Sequence, residues 1–260
     1  MSRWLLRGFA AIVVVWLIAP VLVVVPLAFA GRQSFVFPPE SYSWQWFEEL
    51  FSDAEWRDAL LTSVRIALLV VVVSSVLGTA AALALQRSRL PGLAIVRALL
   101  IAPLIVPVVI TAVGVYAVFL PRDLLGTDLG FLLAHTVLAL PFVVVAVSTS
   151  LAGFDRRLED AAASLGASPL SAFFTVTLPL IRPGLLAGAV FAFVSSFDEL
   201  VVSLFVASPL KRTLPVQMYD SLEQVNPTIA AASTVFLLLT TTVVLLMLVL
   251  NRTEREHGLA

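Results

Sequence analysis

The chain has 260 residues, 60% of them hydrophobic and 13% charged, with a net charge of −1 and a mean hydropathy of +1.03. Soluble domains carry roughly 25% charged residues, so a water-solvated globule is excluded and an all-α integral membrane protein is expected. The complete lack of cysteine excludes disulfides, thiolate metal sites and cysteine nucleophiles, while the small net charge names no partner because the charges are sorted by position.

Six apolar runs are long enough to cross a hydrocarbon core of roughly 30 Å. They lie at about 9–30, 60–85, 98–120, 131–151, 184–207 and 228–250, in a single membrane domain over 1–260. None has the ten-residue alternation of a membrane β-barrel. Arg3, Arg7 and the small residues of Ala28-Phe29-Ala30 resemble a secretory leader. The apolar stretch from Phe9 to Phe29 exceeds the roughly 7–15 residues usual for one, so an uncleaved first span is expected. Residues 31–58 carry Pro38-Pro39, Trp44, Trp46, Phe47 and Trp56, which predicts a short cover anchored at the headgroup level.

Within the next spans, Arg65 is expected to snorkel toward the outer surface. Pro103, Pro107 and Pro141 either kink spans three and four into a gate or record irregular packing. His135 has no metal-ligating partner at i±4 and is expected to bond to a neighbouring helix. Basic residues set the orientation. Arg3, Arg7, Arg87, Arg89, Arg97, Arg156, Arg157, Arg182, Arg252 and Arg255 fall on one side, against Arg32, Arg57, Arg122, Lys211 and Arg212 on the other. Both termini are therefore expected in the cytoplasm.

The inner segment at about 153–182 is too long for a simple connection, since helix links in bundles take roughly two to eight residues. Asp155 can cap a helix whose first turn holds Glu159 and Asp160. Leu158, Ala161, Ala162 and Leu165 recur at helical spacing, and Gly166 stands where a left-handed residue ends the helix. Ser168 and Pro169 then restart a second helix that Pro179 and Pro183 are expected to end. Ala161-Ala162-Ala163 gives the hairpin a small-residue face for close approach. Docking on a partner and lying flat on the membrane use the same amphipathicity.

Span five contains Asp198 and Glu199. Each acid near the bilayer centre costs about 2.5–3.5 kcal/mol on insertion scales. Thirteen Leu, Val and Phe residues return about 0.3–0.6 kcal/mol apiece, so the span needs polar neighbours or water. On a continuous helix Asp198 groups with Ser195, and Glu199 with Ser196 and Ser203. One carboxylate is expected to line a permeation path and the other to face a neighbouring helix; interhelical bonds or an ion pair are the structural alternative.

The loop "LEDAAASLGASPLSAFFTVTLPLIRPG", with "LPFVVV" (Leu140 to Val145), "FDELVVSLF" and "LPVQMYDSL" (Leu214 to Leu222), resembles bacterial ABC-importer permeases. The likeness is nearest to the second membrane subunit of spermidine/putrescine-type systems. It implies a type I importer fold, with six spans and a cytoplasmic coupling hairpin between spans four and five. It also implies an inner-membrane location, an ATP-binding subunit dimer, a second permease and an extracytoplasmic solute-binding protein facing the outer segment 209–227. Glu159, Asp160, Ala161, Ala162 and Gly166 would then engage the ATPase. The family acid aligns on Asp160 with Glu159 one residue earlier, so either acid can make that contact. No GxxxxGK[ST] loop occurs, so ATP belongs to another subunit and this chain is expected to need no cofactor, metal or nucleic acid.

The expected function is inward transport of a polyamine-like cation past Asp198, Glu199 and Ser195. Thiamine, a phosphonate or an iron complex are alternative solutes. An ion-coupled secondary transporter using Asp198 and Glu199 is the alternative of another class, although no internal repeat is visible. An intramembrane hydrolase lacks support, with no cysteine, no HExxH and no second histidine within a span, since His257 is in the tail.

Overall fold

The computed structural model describes residues 3–88, 91–153, 155–223 and 225–257, and every named element among them is helical. Arg89, counted in the charge distribution, lies outside the described residues. By length and composition five helices can cross a membrane, or six if one sharply bent pair counts as a span.

Helices α3 (Ala54–Arg87), α6 (Asp128–Ala152) and α9 (Leu178–Phe197) form the core. Glycine lets them approach. A Cβ on Gly188 of α9 would sit 2.9 Å from the Cα of Val143 of α6, and one on Gly78 of α3 would sit 2.7 Å from the Cβ of Val143. Val143 is fully buried between the two. One α9 turn earlier, Gly184 meets Ser150 and the Ala146 carbonyl, so Gly184 and Gly188 act as a small-xxx-small contact stripe.

Around this core the first helix, α1 (Arg3–Leu27), packs only through its last turns. Val24, Leu27 and Ala28 meet Trp46 of α2 (Gln45–Ser52) and Ala230 and Ala231 of α12 (Thr228–His257). Residues 4–22 are exposed throughout. The cover over 31–58 differs from the interfacial anchor expected. Trp44 is exposed, but Trp46 and Trp56 are buried. Trp46 donates its indole N–H to the Ala30 carbonyl at 2.5 Å. Asp53 accepts the Glu55 and Trp56 amides at 2.9 and 3.1 Å, which starts α3 and turns Trp56 inward.

Span three is a broken span rather than the continuous run expected over 98–120. Helix α4 (Leu93–Ile101), extended by a 3₁₀ turn to Leu104, meets α5 (Val108–Phe119) at a bend of 102°. Pro107 has no amide hydrogen and a φ of −54°, with ψ at 128°, so the chain leaves helical geometry there. Pro141, by contrast, sits inside α6 without interrupting it.

Span five departs further from the expected 184–207. The second helix of the hairpin does not end at Pro179 or Pro183. From Pro169 the chain stays helical through a π segment at Phe173–Thr177 and on to Phe197, a run of 29 residues. Pro179 follows directly on the π segment, where the regular i to i−4 ladder is already interrupted, and Pro183 lies inside α9. The helix then stops at Asp198 and resumes as α10 (Val201–Val206).

Candidate site at the broken spans

Asp198 and Glu199 occupy the gap between α9 and α10, not the interior of a continuous helix. Asp198 still donates its amide to the Val194 carbonyl at 3.0 Å. Glu199 turns its carboxylate back onto the start of α10, where both oxygens accept the Val202 amide at 3.1 and 3.0 Å. An N–H that a continuous helix would give to a carbonyl is thus satisfied by an acid. Glu199 is buried and Asp198 is exposed. The expected grouping of Glu199 with Ser196 and Ser203 therefore fails, because residues 198–200 are not helical, whereas Asp198 and Ser195 line one groove as their spacing suggested.

The break in span three faces this gap. Pro103, Leu104, Val106 and Val108 from the α4–α5 bend form one wall of a groove of about 540 Å³; Ser195, Asp198 and Glu199 lie on the other, with Leu138, Phe142 and Phe191 between. All three residues expected on the path thus share one groove. Asp198 also borders a second groove of about 350 Å³ with Leu200, Met218, Tyr219, Ser233 and Phe236. Pro103, a kink candidate in the sequence, lies in this wall; its neighbours Leu104, Val106 and Val108, and Tyr219 of segment 209–227, line the grooves without having been assigned to the path from sequence.

Ser196 and Ser203 do not join Ser195 in a polar strip. His135 of α6 takes both, with Nδ1 at 2.9 Å from the Ser196 hydroxyl and Nε2 at 3.0 Å from the Ser203 hydroxyl. All three side chains are buried. His135 is therefore the expected interhelical bridge, and it ties α6 to both sides of the acid gap.

On the opposite end of α9 lies the hairpin. Asp155 accepts the Arg157 amide at 3.0 Å and starts α7 (Arg157–Ser164). Gly166 ends the turn at φ 89°, and Ser168 caps the next helix, α8 (Pro169–Ala172), by accepting the Ser171 amide at 3.2 Å. The two acids of α7 separate. Glu159 points inward, where its Oε1 accepts from both Arg87 at the end of α3 and Thr177 at the base of α9. Asp160 is exposed and has no side-chain partner among the described residues. Ala161, Gly166, Leu158 and Leu165 are exposed, and Ala162 is half-buried.

At the other end of the core, Asp128 pairs with Arg65 at 2.6 Å and with Lys211 at 3.0 Å. Arg65 does not merely snorkel; it closes an ion pair between α3 and α6.

Residues 74–255 match the family model described as the binding-protein-dependent transport system inner membrane component. The spermidine/putrescine transport system permease protein PotC of Haemophilus influenzae is 33% identical over 236 residues, which cover 89% of this chain and 90% of the relative. The putrescine transport system permease protein PotI of Escherichia coli is 36% identical over 235 residues, covering 87% and 82%. In fold, the chain is similar to the crystal structure of a bacterial ABC transporter that imports the acidic polysaccharide alginate, with a TM-score of 0.70 at 14% identity over 98% of each chain.

Proposed function

Because the chain belongs to the binding-protein-dependent transport system inner membrane components, we propose that it is one of two membrane subunits of an ATP-driven importer for a linear polyamine. A solute-binding protein delivers the solute to the outer face. A separate ATPase dimer drives the spans between inward-open and outward-open states. The carrying observation is the exposed Asp198 at a helix break, in a groove whose other walls are mostly apolar. Such a groove suits a polyamine, which places ammonium groups at intervals along a methylene chain. The relatives' names, spermidine/putrescine and putrescine permeases, support the same reading.

Charge and dipole act together at this point. The C-terminus of α9 carries the partial negative end of its helix dipole, and Asp198 adds a full charge. An ammonium about 4 Å from a carboxylate gains about 4 kcal/mol at an effective dielectric near 20, which offsets part of its lost hydration. The same field opposes a phosphonate. Asp198 is the contact for the moving cation, and Glu199 holds the break open by capping α10. On the inner side, Asp160 rather than Glu159 meets the ATPase, since Glu159 is engaged within the chain.

Uptake of labelled spermidine and putrescine by the assembled transporter tests this. D198N is expected to lower uptake at least tenfold, and unchanged uptake in D198N contradicts the assignment.

A further inference from the structure

We propose that Arg87, Glu159 and Thr177 form a strut that transmits hairpin movement to the acid gap, making Arg87 and Glu159 positioning residues for transport rather than ATPase contacts. The inference rests on the importer reading above and names the parts through which this chain would convert ATPase motion into movement of the site.

Three observations carry it. First, one carboxylate oxygen of Glu159 accepts from a residue of α3 and from a residue at the base of α9, so α7 is joined to two core helices at a single point. Second, Thr177 is fully buried and closes the π segment, a helix irregularity that frequently marks functional positions. Third, the helix carrying Thr177 runs without interruption to Phe197 and stops at Asp198. A displacement of α7 is therefore delivered to a rod whose far end holds the acids. Arg156 adds a contact on the same side, donating to the Gln86 carbonyl at 3.4 Å.

Stability does not explain this arrangement. Arg87 is 41% exposed and Glu159 22% exposed, and partly exposed ion pairs contribute little to folding. Their value is geometric. Without the strut, α7 is held to the core by far fewer polar contacts, so it can follow the ATPase while α3 and α9 remain behind.

The test uses the complete transporter in proteoliposomes, with spermidine uptake and ATP hydrolysis measured together. R87Q and E159Q are expected to lower uptake at least tenfold while hydrolysis continues, so that ATP consumed per solute rises at least fivefold. Melting temperature and co-purification of the ATPase subunit should stay at wild-type level in both. The exchanged pair R87E/E159R should regain part of the lost uptake. An unchanged ATP-to-solute ratio in R87Q, loss of the ATPase subunit from E159Q, or an exchanged pair no better than the single variants overturns the strut. A wild-type chain that binds no ATPase subunit overturns the importer reading itself, and the strut with it.

Discussion

Glu199 commits both carboxylate oxygens to the Val202 amide, while Asp198, one residue earlier, stands exposed between two grooves. This difference predicts unequal substitution effects. In E199Q the amide oxygen can still accept the Val202 N–H, so stability should fall by less than about 0.5 kcal/mol; E199A should lose about 1 kcal/mol, the usual value of a helix cap. Melting of the purified chain in detergent distinguishes the two. His135 offers a second case. H135A would leave the Ser196 and Ser203 hydroxyls unpartnered and open a cavity at a fully buried site. Interhelical hydrogen bonds in a bilayer average about 0.6 kcal/mol, so the two bonds and the cavity together should cost about 2–3 kcal/mol by the same melt. The sequence identified all these residues as unusual, since acids and a histidine in an apolar run stand out. It could not assign their partners, because helical spacing places Glu199 with Ser196 and Ser203, and a three-residue interruption moves it elsewhere.

Among the elements, the long helix from Pro169 to Phe197 departs most from expectation. Proline punctuation at Pro179 and Pro183 suggested a stop, yet Pro179 follows directly on the π segment and Pro183 is accommodated within α9. Cap signals at Asp155, Gly166 and Ser168 were readable, because a cap is a local bond between neighbours. The bend in span three had its signal in Pro107, whereas the break in span five had none, since hydropathy registers apolar content and is blind to direction. Packing of α9 on α6 gives an element-scale prediction. Gly188 has no room for a side chain against Val143, so G188L should destabilise the chain by about 1–3 kcal/mol through overpacking. Substitution of Gly114, which has open space around its Cβ position, should be neutral by comparison. Relative yield of folded, monodisperse protein in detergent checks the pair.

For the whole molecule, the core of α3, α6 and α9 joins two working ends. One end is the hairpin, with Leu158 and Leu165 at 47% and 90% exposure beside the exposed acid Asp160; the other is the acid gap facing the α4–α5 bend. Exposed apolar residues on the hairpin are costly in water unless another surface covers them, and the importer reading supplies that surface as a groove in the ATPase. The absence of cysteine makes this accessible to a direct measurement. A single cysteine placed at Leu165 can be cross-linked in native membranes containing the complete transporter. The account predicts one adduct with the nucleotide-binding subunit, whose yield changes when ATP is added and falls when Asp160 is replaced by asparagine. Labelling of that cysteine by lipid-phase reagents alone, with no adduct to any nucleotide-binding protein, would contradict it.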